Sequence, residues 1–130
     1  MPYAYTIDSD RDAVLVRVEG VHGDSEALVL VRELVSDVKY HRGMRVLVDF
    51  TGLTQNNVSS SGLREVVAVL KPAPDSRRAF LVGNLTDFGI SRMYQAFCEL
   101  NGFHSPEIFR TRKEAVDFLN EGFPPEKKIP

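Results

Sequence analysis

The sequence predicts one α/β domain: a mixed five-stranded sheet with about four helices, in the order ββαβαβαβα. Three observations carry this reading. Two stretches near the start alternate apolar and polar residues at the period of a half-buried strand. After Gly23 the apolar spacing changes to the three- and four-residue steps of an amphipathic helix. From Arg45 onward, strand-like and helix-like stretches take turns, each helical one stopped by Gly, Asn or Pro. Such alternation favours parallel neighbours, so the sheet is expected to be mixed with an antiparallel start.

Tyr3, Tyr5 and Ile7 form the first alternating set, and Val14, Val16 and Val18 the second. The polar run Asp8-Ser9-Asp10-Arg11-Asp12 between them reads as the turn of a hairpin. Ala27, Leu28, Val31, Leu34, Val35 and Val38 then predict a helix from Asp24 to about His41, with Asp24 or Ser25 as its cap and Gly43 past its end. Arg45 to Phe50 is a strand, and Ser61 to Lys71 a helix ended by Pro72 and Pro74. Arg78 to Val82 is a strand. Asp87 to Asn101 is a helix with Asp87 as cap and Gly102 following. Glu107 to Arg110 is a short strand. Thr111-Arg112-Lys113-Glu114 has capping-box spacing and opens a last helix to about Asn120, with Ala115, Phe118 and Leu119 inward. Residues 1–121 form the domain, and 122–130, rich in proline, are expected to be a flexible tail.

Composition narrows the function. At 130 residues, 43% hydrophobic and 26% charged, the chain can bury one core and is not expected to be disordered. A formal net charge of -2 argues against nucleic acid as a partner, which calls for a basic stripe. The single cysteine, Cys98, allows no internal disulfide. No signal-like segment opens the chain, and no apolar run is long enough to span a bilayer, so the expected location is the cytoplasm.

The most informative stretch joins the third strand to the next helix. Val46-Leu47-Val48-Asp49-Phe50 runs through a polar segment containing Gln55, Asn56 and Asn57 into Ser59-Ser60-Ser61-Gly62-Leu63. Three hydroxyls therefore stand where free backbone N–H groups and a positive helix end favour an anion. Ser60 or Ser61 acting as a helix cap is one account of them. A phosphate there is the other, adding about -1.5 to -2 charge at a helix N-terminus.

This order of elements, with a serine-glycine-leucine turn after the third strand, resembles the STAS domain of SpoIIAA-like anti-sigma-factor antagonists. In that family the loop ends Asp-Ser-Ser-Gly-Leu, and a partner kinase phosphorylates the first serine. The resemblance implies Ser60 as phosphoacceptor, with Ser61 beside it, and it places Ser59 where the family has its aspartate. It further implies a docking loop of Asn56, Asn57, Ser59, Gly62 and Leu63 for a protein partner, a kinase or an anti-sigma-type regulator. Gly83 to Tyr94, then Phe109-Arg110 with Glu114-Ala115-Val116, suit the broader group also called STAS/SEC14. The SEC14 part of that name refers to lipid-binding domains, so an apolar ligand is the alternative function.

Other chemistries find no support. Asp49 at a strand end resembles a response-regulator acceptor, but the early strands lack the acidic pair that would hold magnesium. An aspartate held by its own loop is the simpler reading. Neither glycine-bearing loop has the spacing of a phosphate cradle, and G-x-S-x-G is absent. His22, His41 and His104 are scattered and read as surface histidines, with no metal spacing. Cys98, between Tyr94, Phe97 and Leu100, reads as a buried inert thiol. No catalytic set, metal site or cofactor is expected. The wide apolar arc with Phe88, Met93, Tyr94 and Phe97 is assigned mainly to the core, its excess to a homodimer contact or the wall of an apolar ligand groove.

Overall fold

The structure, a computed structural model, describes residues 2–130. Its nine main elements follow the expected order: β1 (Tyr3–Asp8), β2 (Ala13–His22), α1 (Asp24–Ser36), β3 (Arg45–Asn56), α2 (Ser60–Leu70), β4 (Arg78–Leu81), α3 (Leu85–Leu100), β5 (Glu107–Phe109) and α4 (Arg112–Asn120). The strands lie in the order β1-β2-β3-β4-β5, with β1 antiparallel to β2 and every other pair parallel. Alternation along the strands divides the core. Val14, Val16, Val46 and Phe80 face α1, α2 and α3, whereas Ala13, Leu47, Ala79 and Leu81 face α4.

Several boundaries differ from the sequence reading, each for a local reason. The α1 helix ends at Ser36 and not near His41, because the Asp37 side chain accepts the Lys39 N–H and offers the backbone a turn in place of another helical bond. Val38 is consequently 98% exposed and not inward. Its N-cap is Gly23, whose N–H donates to Glu26 Oε1 at 2.9 Å. The strand β3 runs on to Asn56, since β2 extends to His22 and keeps pairing through two register shifts. Gly52 permits that close approach: a Cβ there would stand 3.2 Å from the Val18 carbonyl oxygen. The helix α3 starts at Leu85, capped by Asn84, which accepts the Asp87 N–H at 2.8 Å. Asp87 is therefore a first-turn residue and not the cap. Thr111 caps α4 as expected, accepting the Glu114 N–H and donating its hydroxyl to Glu114 Oε1 at 2.8 Å.

The expectation of a flexible tail over 122–130 is corrected by its packing. Ile129 is 4% exposed and joins Ala115 and Leu119 under the sheet. Asn120 holds it at both backbone groups, accepting the Ile129 N–H at 2.8 Å and donating to its carbonyl at 2.9 Å. Arg45, at the start of β3, explains the rest. Its guanidinium is buried, stacks 3.7 Å from the Phe123 ring centre, and donates to the Arg11, Leu119 and Lys127 carbonyls. A run rich in proline and lysine reads as mobile, but here it supplies a carbonyl oxygen and an aromatic face to a buried cation.

Candidate functional site

The start of α2 is built by residues from two helices. Ser59 is its N-cap: extended backbone (φ -88°, ψ 167°) lets Oγ accept the Gly62 N–H at 3.1 Å. The cap expected at Ser60 or Ser61 is thus one residue earlier, and both of those side chains are exposed at the first two helical positions. Ser59 is itself held by Asp24, the first residue of α1. Its N–H donates to Asp24 Oδ1 at 2.7 Å and its hydroxyl to Oδ2 at 2.6 Å. These bonds, the hydroxyl one first, hold the Asp24 carboxyl below the usual carboxylate range. A carboxylate of lowered pKa favours the fold above its ordinary value, and that gain fades as pH falls through the lowered one.

Glycine at 62 follows from this arrangement. A Cβ there would lie 2.1 Å from Asp24 Oδ1 and 2.4 Å from Cγ, so only glycine lets the carboxylate sit over the first turn of α2. Leu63 and Val58 are buried and anchor the turn from below. Gly62 and Leu63, expected on the partner-facing loop, are therefore inside, which corrects that part of the docking segment. Asn57, Ser59, Ser60 and Ser61 remain as its exposed rim.

Behind the rim lies a polar cluster at the ends of β2 and β3. Asn56 donates to Asp87 Oδ1 at 3.2 Å and accepts the Val58 N–H at 3.2 Å, while the Asn57 N–H donates to the His22 carbonyl at 2.7 Å. His22 is 5% exposed and lies against Phe50, so it is not the surface histidine expected. Burial lowers its pKa, opposed by the charges of Glu26 and Asp87. A lowered histidine pKa means that the unfolded chain takes up the proton first. Stability is then constant above the ordinary value of about 6.5 and falls as pH drops below it. A urea titration across that window should show this slope and lose most of it in His22→Gln. An unchanged slope in the variant contradicts the assignment.

The remaining predicted residues do not come together. On α3, Tyr94 points into the core and is 3% exposed, Met93 is 38% exposed, and the half-buried Phe88 and Phe97 lie beneath Arg110 and Arg64. They make no single apolar surface. Asp49 Oδ1 accepts the Thr51 N–H at 2.8 Å and the Thr51 hydroxyl at 2.6 Å, the local role expected of it. Cys98 is fully buried. Among the described residues no group of three or more His, Cys, Asp or Glu side chains is placed to hold a metal ion, and no helix is long and apolar enough to cross a membrane.

The path of the backbone matches two solved structures over nearly their whole length. One is the anti-sigma factor antagonist SpoIIAA in its unphosphorylated form, with a TM-score of 0.58 at 16% identity, covering 92% of this chain and 98% of that one. The other is an uncharacterized protein of the DUF3478 family with a SpoIIAA-like fold, from Shewanella loihica PV-4, with a TM-score of 0.57 at 16% identity over 90% and 93%. The chain has a SpoIIAA-like, or STAS, fold. No protein-family model and no curated protein matches its sequence. At such identity the likeness is one of fold.

Within this STAS fold, the position that carries aspartate in the Asp-Ser-Ser-Gly-Leu pattern holds Ser59, and the carboxylate reaches it from Asp24 instead. The acid missing from the motif in sequence is thus present in space. No spacing rule links residues 35 positions apart, so sequence reasoning could only make Asp24 a cap for its own helix. His22 was read as a surface residue because β2 extends beyond the alternation visible in its valines, and Asp87 as a helix cap because its partner Asn56 lies 31 positions away.

Proposed function

We propose that this chain is a non-catalytic regulatory module that docks a protein partner on the Asn57 to Ser61 rim, and that a phosphate on Ser60 releases that partner. One observation carries the choice of residue. The Ser59 hydroxyl is committed, donating to Asp24 and accepting from Gly62, whereas Ser60 is exposed one position further on with no side-chain hydrogen bond among the described residues. The STAS register points to the same serine. A phosphate there would add about -1.5 to -2 charge to a rim that already carries the Asp24 carboxylate. The free N–H groups of the first turn would tolerate it, while a docked surface matched to the unmodified rim would not.

The test is a pull-down from the native cell with wild type, Ser60→Ala and Ser60→Asp. Ser60→Asp is expected to lose a partner that wild type and Ser60→Ala both hold, with urea midpoints within about 0.5 kcal/mol of each other. Equal recovery on all three sinks the switch. A second reading, a small apolar ligand, is favoured by a cavity of about 110 Å³ between the sheet and α1, α2 and α3, walled by side chains such as Val16, Leu34, Val66 and Phe80.

A further inference from the structure

His22, Gly23 and Asp24 run in one piece from the end of β2 into α1, and this short segment holds the rim at two points. The His22 carbonyl accepts the Asn57 N–H at 2.7 Å. Asp24 accepts the Ser59 N–H at 2.7 Å and the Ser59 hydroxyl at 2.6 Å. Between them Gly23 caps α1, its N–H donating to Glu26 Oε1. The segment is anchored in the core by the His22 side chain, which is 5% exposed and lies against Phe50. The places of Asn57 and Ser59 therefore depend on where the imidazole sits.

That position suits a neutral ring and not a charged one. Nδ1 is buried with no hydrogen-bond partner. A second proton would make both ring nitrogens donors and bring a full charge to a place where one of them has no acceptor. Glu26 from α1 and Asp87 from α3 are the charged groups that draw a proton to the ring, and burial outweighs both, so its pKa is lowered. Neither Phe50 nor Asn56, its neighbours on β3, titrates, and α2 presents only apolar side chains to the cavity that His22 lines. Arg78 and its partner Tyr94 line that cavity too, but Arg78 pairs with Val46, at the opposite end of β3 from Asn56, the register partner of His22. Asp87 Oδ2 also lacks a partner in this cluster, since Asn56 donates to Oδ1. A charged His22 thus has a carboxylate to move toward and nothing at Nδ1 to hold it in place.

We propose that His22 is a proton-operated latch on the rim: a proton on its imidazole shifts the 22–24 segment and with it Asn57 and Ser59, so that mild acid loosens this face before the domain unfolds. The consequence, weaker docking in acid, rests on the docking reading; the latch itself does not.

An NMR titration of the full chain without a partner, from about pH 7.5 to about pH 5, follows the His22 ring carbons and the backbone amides together. The Asn57 and Ser59 amide signals should move with the midpoint of the His22 ring, below its ordinary value of 6.5, while the signal of fully buried Leu47 stays still. Asp24, its carboxyl held below the usual 3.8, titrates outside this window. In His22→Gln both rim signals should stay still over the same range. Rim signals that do not move while the His22 ring titrates overturn the latch, as does a domain that unfolds before the ring titrates or a rim shift that persists in the variant. With no partner present, failure here leaves the docking reading standing, and failure to recover a partner leaves the latch standing.

Discussion

Deleting residues 122–130 should lower the stability of the domain by about 3–5 kcal/mol, the range seen when one partner of a buried charge network is removed. The loss has two sources. Arg45 would keep its buried guanidinium but lose the Lys127 carbonyl and the Phe123 ring. Leu119 and Ala115, both fully buried, would lose the cover of Ile129. Ile129→Ala alone should cost about 2–4 kcal/mol, as for other buried aliphatic truncations. Urea unfolding midpoints measure both. A truncated chain within about 0.5 kcal/mol of the full one would mean that the segment is a passenger.

The second large effect concerns the joint between α1 and α2. Gly62→Ala should cost about 1–3 kcal/mol, because the new methyl group falls on the Asp24 carboxylate and the neighbouring Cγ. Asp24→Ala should cost about 1 kcal/mol through loss of the bonds to Ser59. The informative measurement is the double variant. With Asp24 shortened, alanine at 62 meets no carboxylate and only the remaining Cβ of residue 24 at 3.1 Å, so once that contact relaxes by a few tenths of an ångström the helix preference of alanine over glycine, up to about 1 kcal/mol, should offset it. The two changes would then be strongly non-additive, with Gly62→Ala neutral or stabilising in the Asp24→Ala background. Simple additivity would mean that Asp24 does not occupy this place in solution.

What the sequence revealed and what it hid divide along one physical line. Local signals were sound. Valine alternation marked β2, the Thr111 to Glu114 spacing marked the start of α4, and alternation of strand and helix gave the mixed sheet. Each depends on residues a few positions apart. The candidate site depends on residues far apart in the chain. Asp24 reaches Ser59 across 35 positions, and Asn56 reaches Asp87 across 31. No periodicity encodes such pairs. They become visible only when parallel strands bring the ends of β2 and β3 beside the starts of α1, α2 and α3. The tail was misread because its proline and lysine content resembles that of disordered segments, while the residues that fix it, Phe123, Lys127 and Ile129, show no periodicity in sequence.

The account turns on which hydroxyl of the serine cluster is free to be modified. The structure ties up Ser59 and leaves Ser60 and Ser61 exposed, and our proposal takes Ser60. Phosphopeptide mapping after incubation with ATP and extract from the native cell addresses this most directly. The prediction is one added phosphate, located at Ser60 and absent from Ser60→Ala. A chain that stays unmodified, or one that carries its phosphate on Ser59, would contradict it.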